Sequence, residues 1–243
     1  MIARHLQRLN ILARSLQTSG LPISVDARWD YPLDEGISRK VSEIEPYLVI
    51  KDTHYHSAIR RSTISNTDWK LIQNCPAPLL LVKPREFAAR PRVVAAIDPV
   101  HSDDPPGALD REILSCAREI CAAMTGELHL FHAFDPSPAI AAAATAVVTP
   151  IAVPVRKVTE ALEHKHREAL DDLLSGVELG SYELHVHQGP PHQLLIALAI
   201  QLIADVVVMG AISRRSSRTR FVGGTAERVP DHLPSDLLIV KYD

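Results

Sequence analysis

"HLPSDLLIVK" (residues 232–241) restates, 158 residues later, the stretch "NCPAPLLLVK" (74–83). Pro76 falls on Pro234, Val82 on Val240 and Lys83 on Lys241. At the same offset "PYLVIKD" (46–52) falls on "ADVVVMG" (204–210), Thr67 on Thr225, Ile37 on Leu195 and Ile44 on Leu202. Gapless self-similarity over such a span marks a duplicated structural unit, and finding it first decides how everything else is read. Two tandem units are expected, residues 1–84 and 91–243, with "REFAARPR" (85–92) as their junction.

The second copy carries the unit whole. "RVVAAID" (92–98) is a short apolar run closed by turn residues, which reads as a buried strand. Ile113, Leu114, Ala117, Ile120 and Cys121 then share one helical face, closed by Gly126. "ELHLFHAF" (127–134) and the alternating "YELHVHQ" (182–188) read as strands. Between them lie a loop broken by Pro150 and Pro154 and an amphipathic helix over 158–176. A helix over 192–203, the strand "DVVVMG" (205–210), a short helix in "TAERVPDHL" (225–233) and the strand "DLLIVKY" (236–242) complete the unit. Strands alternating with helices imply parallel pairing, right-handed crossovers and helices on both faces of the sheet. The fold class is therefore α/β, two tandem doubly wound, Rossmann-like domains. Ligands in such sheets bind beyond the carboxyl ends of the strands, where the strand order reverses.

The first copy begins part-way through the unit. Residues 1–19 match the unit's second helix, so a strand, a helix and a strand do not precede it. Either the start is placed too far downstream, or the chain is truncated, or a shortened sheet is completed by another chain. A sheet lacking interior strands exposes backbone donors and apolar surface, so self-association or a protein partner is expected.

Between the strand at 205–210 and the helix at 225 lies "AISRRSSRTRFVGG" (211–224), rich in glycine, hydroxyls and arginine. Glycines let backbone amides approach a phosphate, and a helix N-terminus adds partial positive charge. Thr225 can cap that helix or donate to a phosphate oxygen. The arginines Arg214, Arg215, Arg218 and Arg220 form either a solvated loop or a phosphate contact. Nucleic-acid binding fits poorly, because the chain carries a net charge of −3 and lacks interleaved aromatics.

The spacing Gly210-x-x-Ser213, nine residues, then Gly223-Gly224-Thr225 resembles the nucleotide loop of the universal stress protein family. Asp98 resembles the acidic residue that ends the family's first strand, and Gly189-Pro190 its turn after the third. The first copy is similar to the tandem, E-type members in His54-Tyr55-His56, Thr67-Asp68-Trp69-Lys70-Leu71, Cys75-Pro76-Ala77-Pro78 and Val82-Lys83. The resemblance covers essentially the whole chain as one and a half copies. It implies a role in survival under stress and an ATP or adenine-nucleotide site in the second unit. There Asp98 would accept from ribose or adenine. Gly210, Ser213, Arg214, Gly223, Gly224 and Thr225 would surround the phosphates, with magnesium arriving only on the nucleotide. Two departures bear on this. Ser213 stands where the family has a glycine, which a positive φ would penalise, and Gly224 stands where a small polar residue is usual. The first copy has Asp52, Tyr55, Ser65 and Asn66 at the aligned positions, and no nucleotide is expected there.

Other constellations point to no further chemistry. The histidine pairs His54/His56, His164/His166 and His185/His187 have no third ligand at a metal-motif spacing, so no metal site is expected. A nucleophile elbow is absent from the sequence, and with no general base beside the loop, hydrolysis would be slow and incidental. Cys75 reads as packing at a helix end, and Thr67 as an N-cap with Asp68 in the first turn. Three cysteines suit a reducing, cytoplasmic setting, and no apolar run is long enough for a membrane span. Two rival functions stay open: an interaction scaffold without ligand, and an enzyme acting on a nucleotide or phosphorylated substrate. Fold alone licenses neither.

Overall fold

Runs of Val, Leu and Ile that are apolar at every position make the strands at the centre of the sheet, because such strands are covered on both faces. The computed structural model describes residues 2–16, 20–53, 65–100, 107–145, 155–213, 221–222 and 224–241. In chain order it contains α1 (Ile2–Leu16), α2 (Leu33–Ile44), β1 (Val49–Asp52), α3 (Asn66–Asn74) and β2 (Leu79–Val82). There follow β3 (Arg92–Ala96), α4 (Ala108–Met124), β4 (Glu127–Phe134), α5 (Ser137–Thr145), α6 (Val155–Ser175), β5 (Tyr182–Gln188) and α7 (Pro191–Gln201). The chain closes with β6 (Val206–Gly210), a short hairpin of β7 (Ile212–Ser213) and β8 (Phe221–Val222), α8 (Gly224–Arg228) and β9 (Asp236–Val240).

Seven strands form one sheet in the order β1-β2-β9-β6-β3-β4-β5. Every neighbouring pair is parallel except β2 and β9, which run antiparallel. At that seam Leu79 faces Ile239, Leu80 faces Leu238 and Leu81 faces Leu237. Leu80 and Leu238 are the same position of the repeat, and the flanking pairs exchange across it. The duplicated stretches thus meet as a self-complementary interface of the kind a two-fold axis generates between separate subunits.

Two apolar layers cover the sheet. Leu71, Ile72, Phe131, Leu195, Val207, Met209, Leu237 and Ile239 pack on one face. Val93, Ala95, Leu114, Leu130, Val208 and Leu238 pack on the other. The junction is pinned by Asp205, only 3% exposed. Its carboxylate accepts from the backbone N–H groups of Ala88 (3.2 Å) and Arg92 (2.9 Å) and from Arg85 Nη2 (3.2 Å). Helix α1 buries only Ala13, while Ile11, Leu12 and Leu16 remain about as exposed as polar residues would be, at 62%, 61% and 60%.

Local expectations are met with three corrections. Ser137–Thr145, expected within a loop, is helical; its alanine run has the highest helix propensity available, Pro138 sits in the first turn where no intrahelical N–H bond is lost, and Pro150 and Pro154 lie beyond its end. The N-cap of α3 is Ser65, not Thr67: Ser65 accepts from Asp68 N (3.1 Å) while the Asp68 carboxylate accepts from Ser65 N (3.0 Å), a reciprocal capping box. Thr225, at the matching position of α8, is likewise the second helical residue rather than the cap. Ser65 was passed over because a serine two residues upstream offers no apolar period to signal the helix start. Among the described residues no helix is long and apolar enough to cross a membrane.

Candidate functional site

The crevice that matters opens beyond β3 and β6. These strands are adjacent and parallel, with Ala96 opposite Met209. The chain leaves β3 for β4 on one side, while β6 lies on the other, so the strand order reverses between them. Asp98 lies just past β3, exposed, with its N–H donating to Asp110 Oδ1 at 2.9 Å. Gly210 ends β6. The two sequence-predicted residues are therefore brought to one rim by strand pairing.

The glycine at 210 has a packing reason. A β-carbon there would come within 2.6 Å of Leu109 Cδ2, so the first turn of α4 packs where a side chain would stand. Ser213 is extended, in β7, opposite Phe221. The positive φ feared for that position does not arise, and a serine there carries no backbone penalty. Gly224 opens α8 and Thr225 follows it, its carbonyl accepting from Val229 N at 3.0 Å. Arg214 and Gly223 lie outside the described residues, as do His54 and His56. On the far side of the sheet, the Gly189 turn is as expected: φ is +136°, a conformation L side chains rarely adopt, and Gly189 N donates to Phe134 O at 2.9 Å.

Two histidines join Asp98 that sequence reasoning passed over. His132, on β4, is fully buried, and His166, on α6, is 9% exposed. His132 Nδ1 lies 3.0 Å from the Ile97 carbonyl. A carbonyl only accepts, so that nitrogen carries the proton and Nε2 is left as an acceptor. His166 Nδ1, 2.8 Å away, therefore donates to it. The Asp98 carboxylate lies within 4.8 Å of ligand nitrogens on both rings. Burial, reinforced by His132, holds His166 below its ordinary pKa, with Asp98 opposing. Phe134 stacks on His166 at 5.1 Å. A signal existed: His166 shares a helical stripe with Leu170 and Leu173, both buried, so it was never a surface histidine.

A second group lies on the opposite sheet face. His129 of β4 and Glu183 and His185 of β5 converge within 4.8 Å of one another. The sequence pairs His185 with His187 at strand spacing, but its nearest ligand-type neighbours are His129 on the adjacent strand, at 3.1 Å, and Glu183 on its own, at 3.8 Å.

Residues 90–241 match the model of the universal stress protein family. Universal stress protein E of Escherichia coli (strain K12) is 27% identical over 95% of this chain and 72% of that protein. Universal stress protein E of Photorhabdus laumondii subsp. laumondii is 25% identical over 93% of this chain and 71% of its own. Among solved structures, a functionally unknown protein of Pseudomonas aeruginosa PAO1 superimposes with a TM-score of 0.80 at 26% identity, over 98% of this chain and 78% of that one. A universal stress protein from Archaeoglobus fulgidus DSM 4304, at TM-score 0.62 and 18% identity over 98% of this chain and 79% of its own, shares the fold. The duplicated strand motif, the doubly wound sheet and the match over more than half the length together establish that the chain belongs to the universal stress protein family, with its similarity to the E type.

Proposed function

We propose that this stress-response protein comprises two units, residues 1–84 and 91–243, and that the second holds an adenine nucleotide at the rim between β3 and β6. The observation that carries the reading is the pairing of Ala96 with Met209, which sets Asp98 beside the end of β6 where strand order reverses. Asp98, exposed, accepts from adenine or ribose. Because Leu109 occupies the space at Gly210, the phosphates fall to the loop beyond it, from Ser213 and Arg214 to Gly223, Gly224 and Thr225. Ser213 is extended and itself carries no backbone penalty. Magnesium enters only with the nucleotide, and hydrolysis is incidental to binding. Free cysteines at 75, 116 and 121 suit a cytoplasmic setting.

Calorimetric titration with ATP tests this. Binding in the wild type that Asp98→Ala weakens tenfold or more supports the site; no heat at millimolar ATP sinks it. The scaffold reading is favoured by a different observation, the exposed Ile11, Leu12 and Leu16 of α1. Sedimentation distinguishes it: association that Leu12→Glu abolishes assigns that face to a protein partner or a second copy.

A further inference from the structure

We infer that His129, Glu183 and His185 form a binding site for a divalent transition-metal cation of the zinc class, on the edge of the sheet away from the nucleotide rim. The backbone builds it in two steps. Residues two apart on a strand share a face, so Glu183 and His185 project together. Parallel pairing then sets His129 opposite Glu183 and Phe131 opposite His185, which brings the His129 ring onto the same face.

The donor atoms have ligand spacing. His129 Nδ1 is 3.1 Å from His185 Nε2. Glu183 carboxylate oxygens lie 3.6 Å from the first nitrogen and 3.8 Å from the second. Two donors each about 2.0–2.1 Å from a zinc ion, separated by a tetrahedral angle, stand roughly 3.4 Å apart. The carboxylate reaches His129 through Oε2 and His185 through Oε1, and one donor atom from each residue lies within 4.8 Å of the other two, close enough to enclose an ion once a single oxygen turns between the rings. Two neutral imidazoles and one carboxylate are the donor set of zinc and its neighbours, whereas calcium and magnesium demand mostly oxygen.

Two comparisons sharpen the assignment. In the Asp98–His132–His166 group the facing nitrogens are only 2.8 Å apart and His132 Nδ1 is committed to the Ile97 carbonyl, so that pair is a hydrogen-bonded relay. In the His129 group, His129 Nε2 is buried without a hydrogen-bond partner. A metal bond at Nδ1 places the ring proton on that Nε2. Histidine ligands usually donate their second N–H to an outer partner, and His129 has none, so the affinity falls below that of a four-ligand structural site. The Glu183 side chain is 66% exposed, and the site opens to solvent with a coordination position for water.

Zinc titration of the full chain, free of any affinity tag and of nucleotide, tests the proposal. The wild type is expected to bind one equivalent of zinc that Glu183→Gln weakens at least tenfold and His185→Gln removes. Glu183 is exposed, so the first variant folds. Melting temperature should rise with zinc in the wild type and not in His185→Gln, and excess magnesium should not compete. Wild-type protein that binds no zinc, or variants that keep the wild-type stoichiometry and affinity, overturn the assignment.

Discussion

Lys83 donates its ammonium to the carbonyl of Leu233, and the relationship is returned across the seam. Lys241, the repeat counterpart of Lys83, donates to the carbonyl of Cys75, the counterpart of Leu233. Each copy's last strand thus ties off the C-terminal end of the other copy's final helical segment, where carbonyls lack intrahelical partners. Lys83 is 8% exposed, and burial lowers its pKa against the pull of Asp236. Lys83→Ala leaves the buried Leu233 carbonyl unpaired and should lower stability by about 1–3 kcal/mol. Lys241→Ala should lose less, since that side chain is half-buried. Urea unfolding of both variants checks the order; equal, negligible losses would show that the exchange is decorative.

Asp205 holds the junction to the sheet. Removing its carboxylate strands the N–H groups of Ala88 and Arg92 and leaves the Arg85 guanidinium with the Ala204 carbonyl but no countercharge there. Asp205→Ala is expected to lose about 3 kcal/mol, and Asp205→Asn less, because one amide oxygen still accepts. Chemical denaturation measures this. A loss under about 1 kcal/mol would place the junction's anchor elsewhere.

Ile203 sits where a glycine belongs. After α7, Ala204 N donates to Ala199 O (2.8 Å) and Ile203 N to Ile200 O (3.1 Å), the bond pattern of a Schellman cap. Ile203 has φ of 49°, which a β-branched residue adopts only under strain. Its side chain is 68% exposed, so little packing is lost on removal. Ile203→Gly should stabilise the protein by about 1 kcal/mol, read as a raised midpoint with unchanged slope in urea.

The His132–His166 relay makes stability depend on pH. His166 is held below its ordinary value by burial, by His132 and, to a smaller degree, by Lys165, against Asp98. Between that depressed value and roughly 6.5, the unfolded chain binds more protons than the folded one. Stability is therefore fully present above about pH 6.5 and declines as pH falls through that window. Thermal melts from about pH 7 to pH 5 should show this decline, and His166→Gln should flatten it. An unchanged slope in the variant would remove His166 as the cause.

How much of this was legible beforehand differs by residue. The strands at 127–134 and 182–188 were read to their ends because apolar runs and period-two alternation are local properties of the chain. The helix at 137–145 was missed because the prolines that follow it dominated the reading of an alanine run. Asp98 and Gly210 were named from their resemblance to the family's strand end and nucleotide loop, and strand pairing brings both to one rim. The reason for glycine at 210 was not legible, since Leu109 approaches it from 101 residues earlier in sequence.

The sequence by itself determined the repeat, the alternation of strands and helices, and hence a doubly wound sheet with its rim at the carboxyl ends of β3 and β6. Those follow from hydrophobic period and chain connectivity, which are written along one dimension. Only the tertiary structure decided that the copies join antiparallel through Leu80 and Leu238, and that His166 reaches His132. The same holds for the meeting of His129 with Glu183 and His185. Each of these depends on register between strands or on a helix packed across the sheet, and residues 34, 54 and 158 positions apart carry no mark of one another until the backbone brings them within bonding distance.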